Sequence, residues 1–325
     1  MKNPFSPLFL FTKKIYQNKL LTNLIKIFFT LLILYILFGN INLRLAFQNL
    51  KHIRWAYLSL NIILSLTLLQ FLMTGRLKLF LNFNGVKINF WKLMQFHYIS
   101  LFFQVLLPSS IGSDAVKIYY LRNKSRISRL SLIIIMSRFI GVFTILLTAG
   151  FCLLFSRTPL EKDLLLRSGT IKLAALFLIL LMGICLWTKP FTWLNGISKH
   201  RYKLLKYFSL VEGVYDRRTL LQAMFYSLFI QGITVLSFLL FYMGIDITLP
   251  LLKSFIYIPV TQLFTFIIPS MNGMGVREYF LYGFFQKEVF NLENMFLISV
   301  QMFLTSLVPA LAGGILYFFK KREEN

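Results

Sequence analysis

Long apolar stretches dominate this chain, and the same short phrase breaks two of them at membrane depth. The copies are Leu107-Pro108-Ser109-Ser110-Ile111-Gly112 and Ile268-Pro269-Ser270-Met271-Asn272-Gly273. Charge follows each within a turn: Asp114 and Lys117 after the first, Arg277 and Glu278 after the second. Backbone released from a helix inside hydrocarbon leaves donors and acceptors unsatisfied, so such breaks survive only where protein or a watery cavity surrounds them. Paired breaks in the two halves of one chain mark a transporter whose site is built from interrupted helices.

Composition agrees with a membrane setting. Hydrophobic residues make up 57% of the chain, charged residues only 14%, and the mean hydropathy is +0.70. These values fall outside the soluble range. Several stretches approach or exceed the roughly 18 apolar residues that cross hydrocarbon. The net charge of +24 would suggest nucleic acid in a soluble protein. Here no nucleic-acid motif accompanies it, and Lys and Arg fall in short loops, where they set topology. Cys152 and Cys185 lie in apolar spans without a CxxC pattern, so two buried thiols and no disulfide are expected. His52, His97 and His200 lack metal-ligand spacing, and neither metal nor cofactor is expected. Lys13, Lys14 and Lys19 precede an apolar run from Leu24 to Phe38 with no small-residue cleavage site after it, the pattern of an uncleaved first span.

Apolar segments fall near 22–39, 55–75, 91–107 with 113–121, 130–155, 170–188, 219–243, 250–268 with 276–286, and 294–319. The N-terminus, 76–92, 117–129, 189–218 and the C-terminal Lys320-Lys321-Arg322 are rich in Lys and Arg, whereas 244–253 and 287–293 are poor. Rich loops belong in the cytoplasm. Segment 91–121 therefore begins and ends inside, and its first arm reaches only about 25 Å before Pro108. Segment 250–286 begins and ends outside. Both read as re-entrant hairpins, flanked by spans of opposite direction. The expected fold is one all-α integral-membrane domain, 1–325, with about six full spans and two hairpins. Its inverted halves are approximately 55–155 and 219–319, and both termini lie inside. Loop 40–54 dissents, since Arg44, Lys51 and Arg54 must then lie outside; it suits an amphipathic interfacial helix.

A new short helix is expected near Ser113 and another near Met274. Their first amides lack intrahelical partners and carry about half a positive charge, which suits a phosphate. Ser109, Ser110, Ser113 and Ser270 either join that anion site or satisfy broken backbone. Arg138 lies about two turns into its span, where a charge costs roughly 2.5–3.5 kcal/mol. It either pairs with Asp114 or faces a cavity and binds substrate. Asp114 and Lys117 have the spacing of a local ion pair, whereas Arg277 and Glu278, being adjacent, point to different helix faces. Gly273-Met274-Gly275 lacks the strand–helix context of a nucleotide loop. Phe102-Phe103 and Phe284-Phe285 read as lipid-facing bulk.

At these residues the chain resembles the lysylphosphatidylglycerol synthase transmembrane-region family, also called the flippase-like domain family. A first signature, Pro-Gly-Gly-x-Gly-Gly-Asp-x-x-Arg, is matched by Pro108 to Lys117 with Gly112 and Asp114 kept. A second, Gly-x-Gly-x-Arg-Glu, is matched by Gly273, Gly275, Arg277 and Glu278. Ser137-Arg138 and Gly75-Arg76 match further family positions, and the likeness covers about 20–320. Serines stand at common glycines, Lys117 replaces an arginine, and Gln301 stands where the last span often carries one.

The resemblance implies a stand-alone member, since the chain stops at Asn325 without the soluble aminoacyltransferase domain of larger relatives. It implies a flippase of the bacterial inner membrane. The expected substrate is an anionic phospholipid or a polyprenyl-phosphate-linked glycolipid. Pro108, Ser109, Gly112, Asp114, Lys117, Arg138, Pro269, Ser270, Gly273, Gly275, Arg277, Glu278 and Gln301 would form the binding region, and a lipid-modifying enzyme is a possible partner. Two other classes compete. An integral-membrane transferase of lipid-linked sugars would need a metal clamp, and no Asp-x-Asp pair appears. A small-solute or ion transporter would share the inverted layout but have a sealed, water-filled path.

Overall fold

A computed structural model describes residues 51, 53–106, 110–155, 215–268, 273–285 and 292–323. The expected spans at 22–39 and 170–188 lie outside the described residues. So do Pro108, Ser109, Pro269 and Ser270.

The described elements are all helical. Helix α1 (Trp55–Phe83) carries a π turn at Ser65–Leu69. A short pair follows, α2 (Phe90–Leu106) and α3 (Ser110–Leu121), and then the long α4 (Ile127–Phe155). The same order recurs in α5 (Arg217–Met243), the short α6 (Leu251–Ile267) and α7 (Val276–Phe284), and the long α8 (Leu292–Glu323). Within α1, α4, α5 and α8 lie the stretches long and apolar enough to cross a membrane. They coincide with four of the six spans expected from sequence.

Helix ends follow from local chemistry. The first arms α2 and α6 stop at Leu106 and Ile267, two residues before Pro108 and Pro269, because the residue ahead of a proline is driven out of the α region. The second arms start at other points than expected: α3 begins at Ser110 rather than Ser113, and α7 at Val276 rather than Met274. Helix α1 also outruns its apolar stretch. Residues 76–83, expected in a cytoplasmic loop, remain helical because nothing breaks the ladder before Asn84-Gly85, where Gly85 adopts φ +73°. Helix α5 is capped by Asp216, whose carboxylate accepts from the Thr219 amide at 2.8 Å. Hydrogen bonds from the Thr219 side chain and amide hold that carboxyl below its ordinary range.

The two halves exchange partners. Helix α2 packs along α8, and α6 packs along α4, so the first arm of each short pair lies on the last long helix of the other half. Helices α1 and α5 lie against one another. Stacked rings clip the arms of each pair together: Phe96 on Tyr120 at 4.7 Å in the first, Phe264 on Phe280 at 3.9 Å in the second. Helix α5 serves two cores. Its Leu220 and Ala223 join Phe80, Leu93, Leu130 and Ile133. Its Val235 and Tyr242 join Ile256, Leu281, Met295 and Ile298. Phe284-Phe285 belongs to this second core and not to the lipid face. Phe285 is fully buried, and Phe284 stacks on Tyr257 at 4.7 Å, because the short α7 lies on α6 and turns these rings inward.

Polar contacts join the connections at the helix ends. Arg129 donates to Asn84 Oδ1 at 3.0 Å, joining two Lys/Arg-rich loops at one face. At the other end of α1, the Arg54 amide donates to the Gly244 carbonyl at 2.9 Å, and the Arg54 side chain pairs with Asp246 at 2.5 Å. The dissenting basic loop thus meets an acid from the poor loop.

Lipid offers apolar side chains no reason to leave it, so helices in a membrane associate through close packing and buried polar contacts. Asn61 of α1 is fully buried. It donates to the Ser237 carbonyl of α5 at 2.8 Å and accepts from the Ser237 hydroxyl at 2.6 Å. Asn61→Leu is expected to lower stability by about 1 kcal/mol, read as earlier unfolding in a detergent titration. An unchanged midpoint would remove this pair from the forces joining α1 to α5.

Candidate functional site

The first short pair and the helices beside it enclose a group of charges. Asp114 and Lys117 lie one turn apart on α3, with Asp114 Oδ2 2.6 Å from Arg138 Nε of α4 and Oδ1 4.0 Å from Lys117 Nζ. Arg138 Nη2 also reaches Ser113 Oγ, at 3.5 Å. Of the two readings open for Arg138, the structure shows the pairing with Asp114. The residues are sheltered: the Asp114 and Lys117 side chains are 15% and 14% exposed, and that of Arg138 is 30% exposed.

Two neighbours enlarge the group. Arg76 of α1 donates from Nη1 to Ser227 Oγ of α5 at 3.0 Å, and its Nε is buried without a hydrogen-bond partner. It lies against Gly141 of α4, where an added Cβ would come within 3.0 Å of Nη1. Gly141 lies one turn beyond Arg138 on α4, so the two guanidiniums share one region of the bundle. His97 of α2 is buried, with Nε2 2.9 Å from Gln70 Oε1 of α1. One carboxylate, Asp114, therefore pairs with two cations, Lys117 and Arg138, and a third cation, Arg76, lies beside Gly141, one turn along α4 from Arg138. Neither Arg76 nor His97 stood among the site residues expected from sequence. For Arg76 the available signal was the match of Gly75-Arg76 to a family position. For His97 it was an imidazole inside an apolar stretch.

The second phrase is built differently. Gly273 and Gly275 take φ +78° and +81°, a region that a side chain disfavours. Gly275 caps α7, and its amide donates to Glu278 Oε2 at 2.7 Å. The carboxylate of Glu278, only 1% exposed, thus sits at the helix N-terminus where an external anion was expected. Arg277 Nη2 lies 2.9 Å from Glu278 Oε1. Adjacent helical residues ordinarily diverge, and the expectation that these two would not pair is corrected. The physical reason is the cap: by folding back over the first turn, Glu278 brings its carboxylate within reach of the long Arg277 side chain.

Gln301 belongs to neither arrangement. It is fully buried in α8, with Nε2 donating to the Phe241 carbonyl at 3.2 Å and Oε1 close to Gly244. Phe241 lies about 20 Å along α5 from Ser227, the partner of Arg76. Gly112 lies in the first turn of α3, two residues before Asp114.

An all-helical bundle with membrane-length apolar helices and charges enclosed among them defines a multi-pass membrane protein. More narrowly, the family described as Lysylphosphatidylglycerol synthase TM region matches residues 23–314, and the chain belongs to that family. No curated protein and no solved structure matches it.

Proposed function

We propose that this protein is a lipid translocase that carries a phosphate-bearing lipid between leaflets of the bacterial inner membrane. One observation carries the proposal: Lys117 and Arg138 share the single carboxylate of Asp114, and a third cation, Arg76, lies one turn along α4 from Arg138. Ionisable groups among membrane helices are costly and are kept where they bind or move something charged. An excess of cations attracts an anion, and a headgroup phosphate supplies one while its tails stay in lipid. Membership of a membrane-domain family supports this reading. The exchanged packing of the short pairs supports two inverted halves that rock about the α1–α5 contact and open the cluster to each leaflet in turn. The chain itself would supply binding and gating, with the direction set by a gradient.

The test is leaflet-resolved translocation of a labelled anionic phospholipid in proteoliposomes. Arg76→Gln and Arg138→Gln are each expected to slow transfer by about tenfold or more, the value of one charge-assisted hydrogen bond. Phe225→Leu, on the exposed face of α5, should leave the rate unchanged. Transfer by wild-type protein no faster than in empty vesicles would sink the proposal.

A further inference from the structure

A second set of cations gathers where the first short pair begins and ends. Lys87 and Lys92, at the entry to α2, and Arg122 and Lys124, just past α3, line a recess of about 370 Å³. Between residues 76 and 129 the sole acid is Asp114, which is engaged with Arg138 and Lys117. Among the described residues no carboxylate pairs with any of the four cations lining the recess. The walls are nevertheless built. The Arg122 guanidinium lies over the Tyr119 ring at 4.1 Å, and Phe96 stacks on Tyr120 at 4.7 Å, fixing the two arms beneath the recess. The side-chain amides of Asn89 and Asn123 add neutral donors to the same lining.

Loop cations that only set topology have no reason to converge. Any Lys or Arg in the loop has that effect, and Arg126 and Arg129 are present outside the recess. Convergence without a counter-ion is a repulsive arrangement that an anion relieves. The level of the recess identifies the source of the anion. Trp91, next to Lys92, is 65% exposed, and Tyr119 in the lining is 55% exposed. Amphipathic rings of this kind sit at the headgroup boundary of a bilayer.

We infer that this recess holds the phosphate of an anionic lipid from the leaflet it faces. The site is separate from the buried cluster and stands whether or not that cluster moves lipid. Basic recesses at the ends of membrane helices are suited to such headgroups, and each cation near the surface adds to the attraction.

The experiment uses the full chain in phosphatidylcholine nanodiscs titrated with fluorescent phosphatidic acid, with binding followed by energy transfer from tryptophan. Lys92→Gln/Arg122→Gln is expected to weaken retention roughly thirtyfold. The charge-preserving pair Lys92→Arg/Arg122→Lys should retain the lipid. Labelling of a cysteine placed at Ser125 verifies that the loop keeps its face in both variants. Equal retention by the neutral pair overturns the inference, as does equal loss in the charge-preserving pair. Competition by glycerol 3-phosphate as strong as that by unlabelled phosphatidic acid overturns the assignment to a lipid.

Discussion

Gly313→Ala is expected to unseat α8 from α2 and cost more stability than a single added methyl group ordinarily does. The backbones of these helices nearly touch at this point. A Cβ on Gly313 would overlap the Tyr98 carbonyl oxygen and lie 2.5 Å from its carbonyl carbon and 3.1 Å from the Ile99 amide nitrogen. These atoms belong to a helix and cannot swing aside as a side-chain tip can. Relief requires moving one helix bodily, and α2 is held through Tyr98, whose hydroxyl donates to the Leu66 carbonyl in the π turn of α1. Overpacking a tight interior costs about 1–3 kcal/mol, and more where backbone blocks the adjustment. The measurement is thermal unfolding in detergent, with Gly232→Ala as the comparison. Nothing lies within 4 Å of a Cβ at Gly232, so this change should be neutral or stabilise by up to ~1 kcal/mol through helix propensity. Equal midpoints for the two variants would show that α8 does not depend on this contact.

Glu278→Ala should be damaging too, for an electrostatic reason. The carboxylate satisfies the Gly275 amide and the Arg277 guanidinium together. Its removal leaves a cation whose side chain is 17% exposed without its partner, and loss of one member of a buried pair costs about 3–5 kcal/mol. Arg277→Met/Glu278→Met removes both charges and should recover much of that loss, because no unpaired ion remains. Thermal unfolding of the single and double variants decides the matter. A double variant less stable than Glu278→Ala would mean that Arg277 contributes by some means other than this pair.

Much of the architecture could be read from residues alone. Pro108 and Pro269 stop helices by local sterics, so the ends of α2 and α6 were legible, as were the four long helices, whose apolar runs leave little choice. The charge cluster was legible only in part. Asp114 and Arg138 stood out because they interrupt apolar stretches, whereas Arg76 sat beside Lys78 in what looked like a loop. Only the continuation of α1 to Phe83 brings Arg76 among the helices. The Arg277–Glu278 pair was hidden because it depends on a side chain folding back over a cap, and residue spacing carries no trace of that. Gln301 was expected near substrate through family likeness. Its actual contacts, the Phe241 carbonyl and Gly244, are set by how α8 crosses α5, which no local pattern encodes.

The exchange of short pairs between halves has a consequence for the order in which this molecule can be completed. Helix α2 packs more extensively on α8 than on any other element, and α8 is the last helix described in the chain. Chains are made from the N-terminus, and early segments commonly assemble as they emerge. Here α2 and α3, with Asp114 and Lys117, must wait in the bilayer through the synthesis of some two hundred further residues before their principal support arrives. Until then, among the described residues, their own stacked rings and the neighbouring α1 and α4 hold them. The helix that carries His97 thus gains its largest packing partner only after every other described helix has been made.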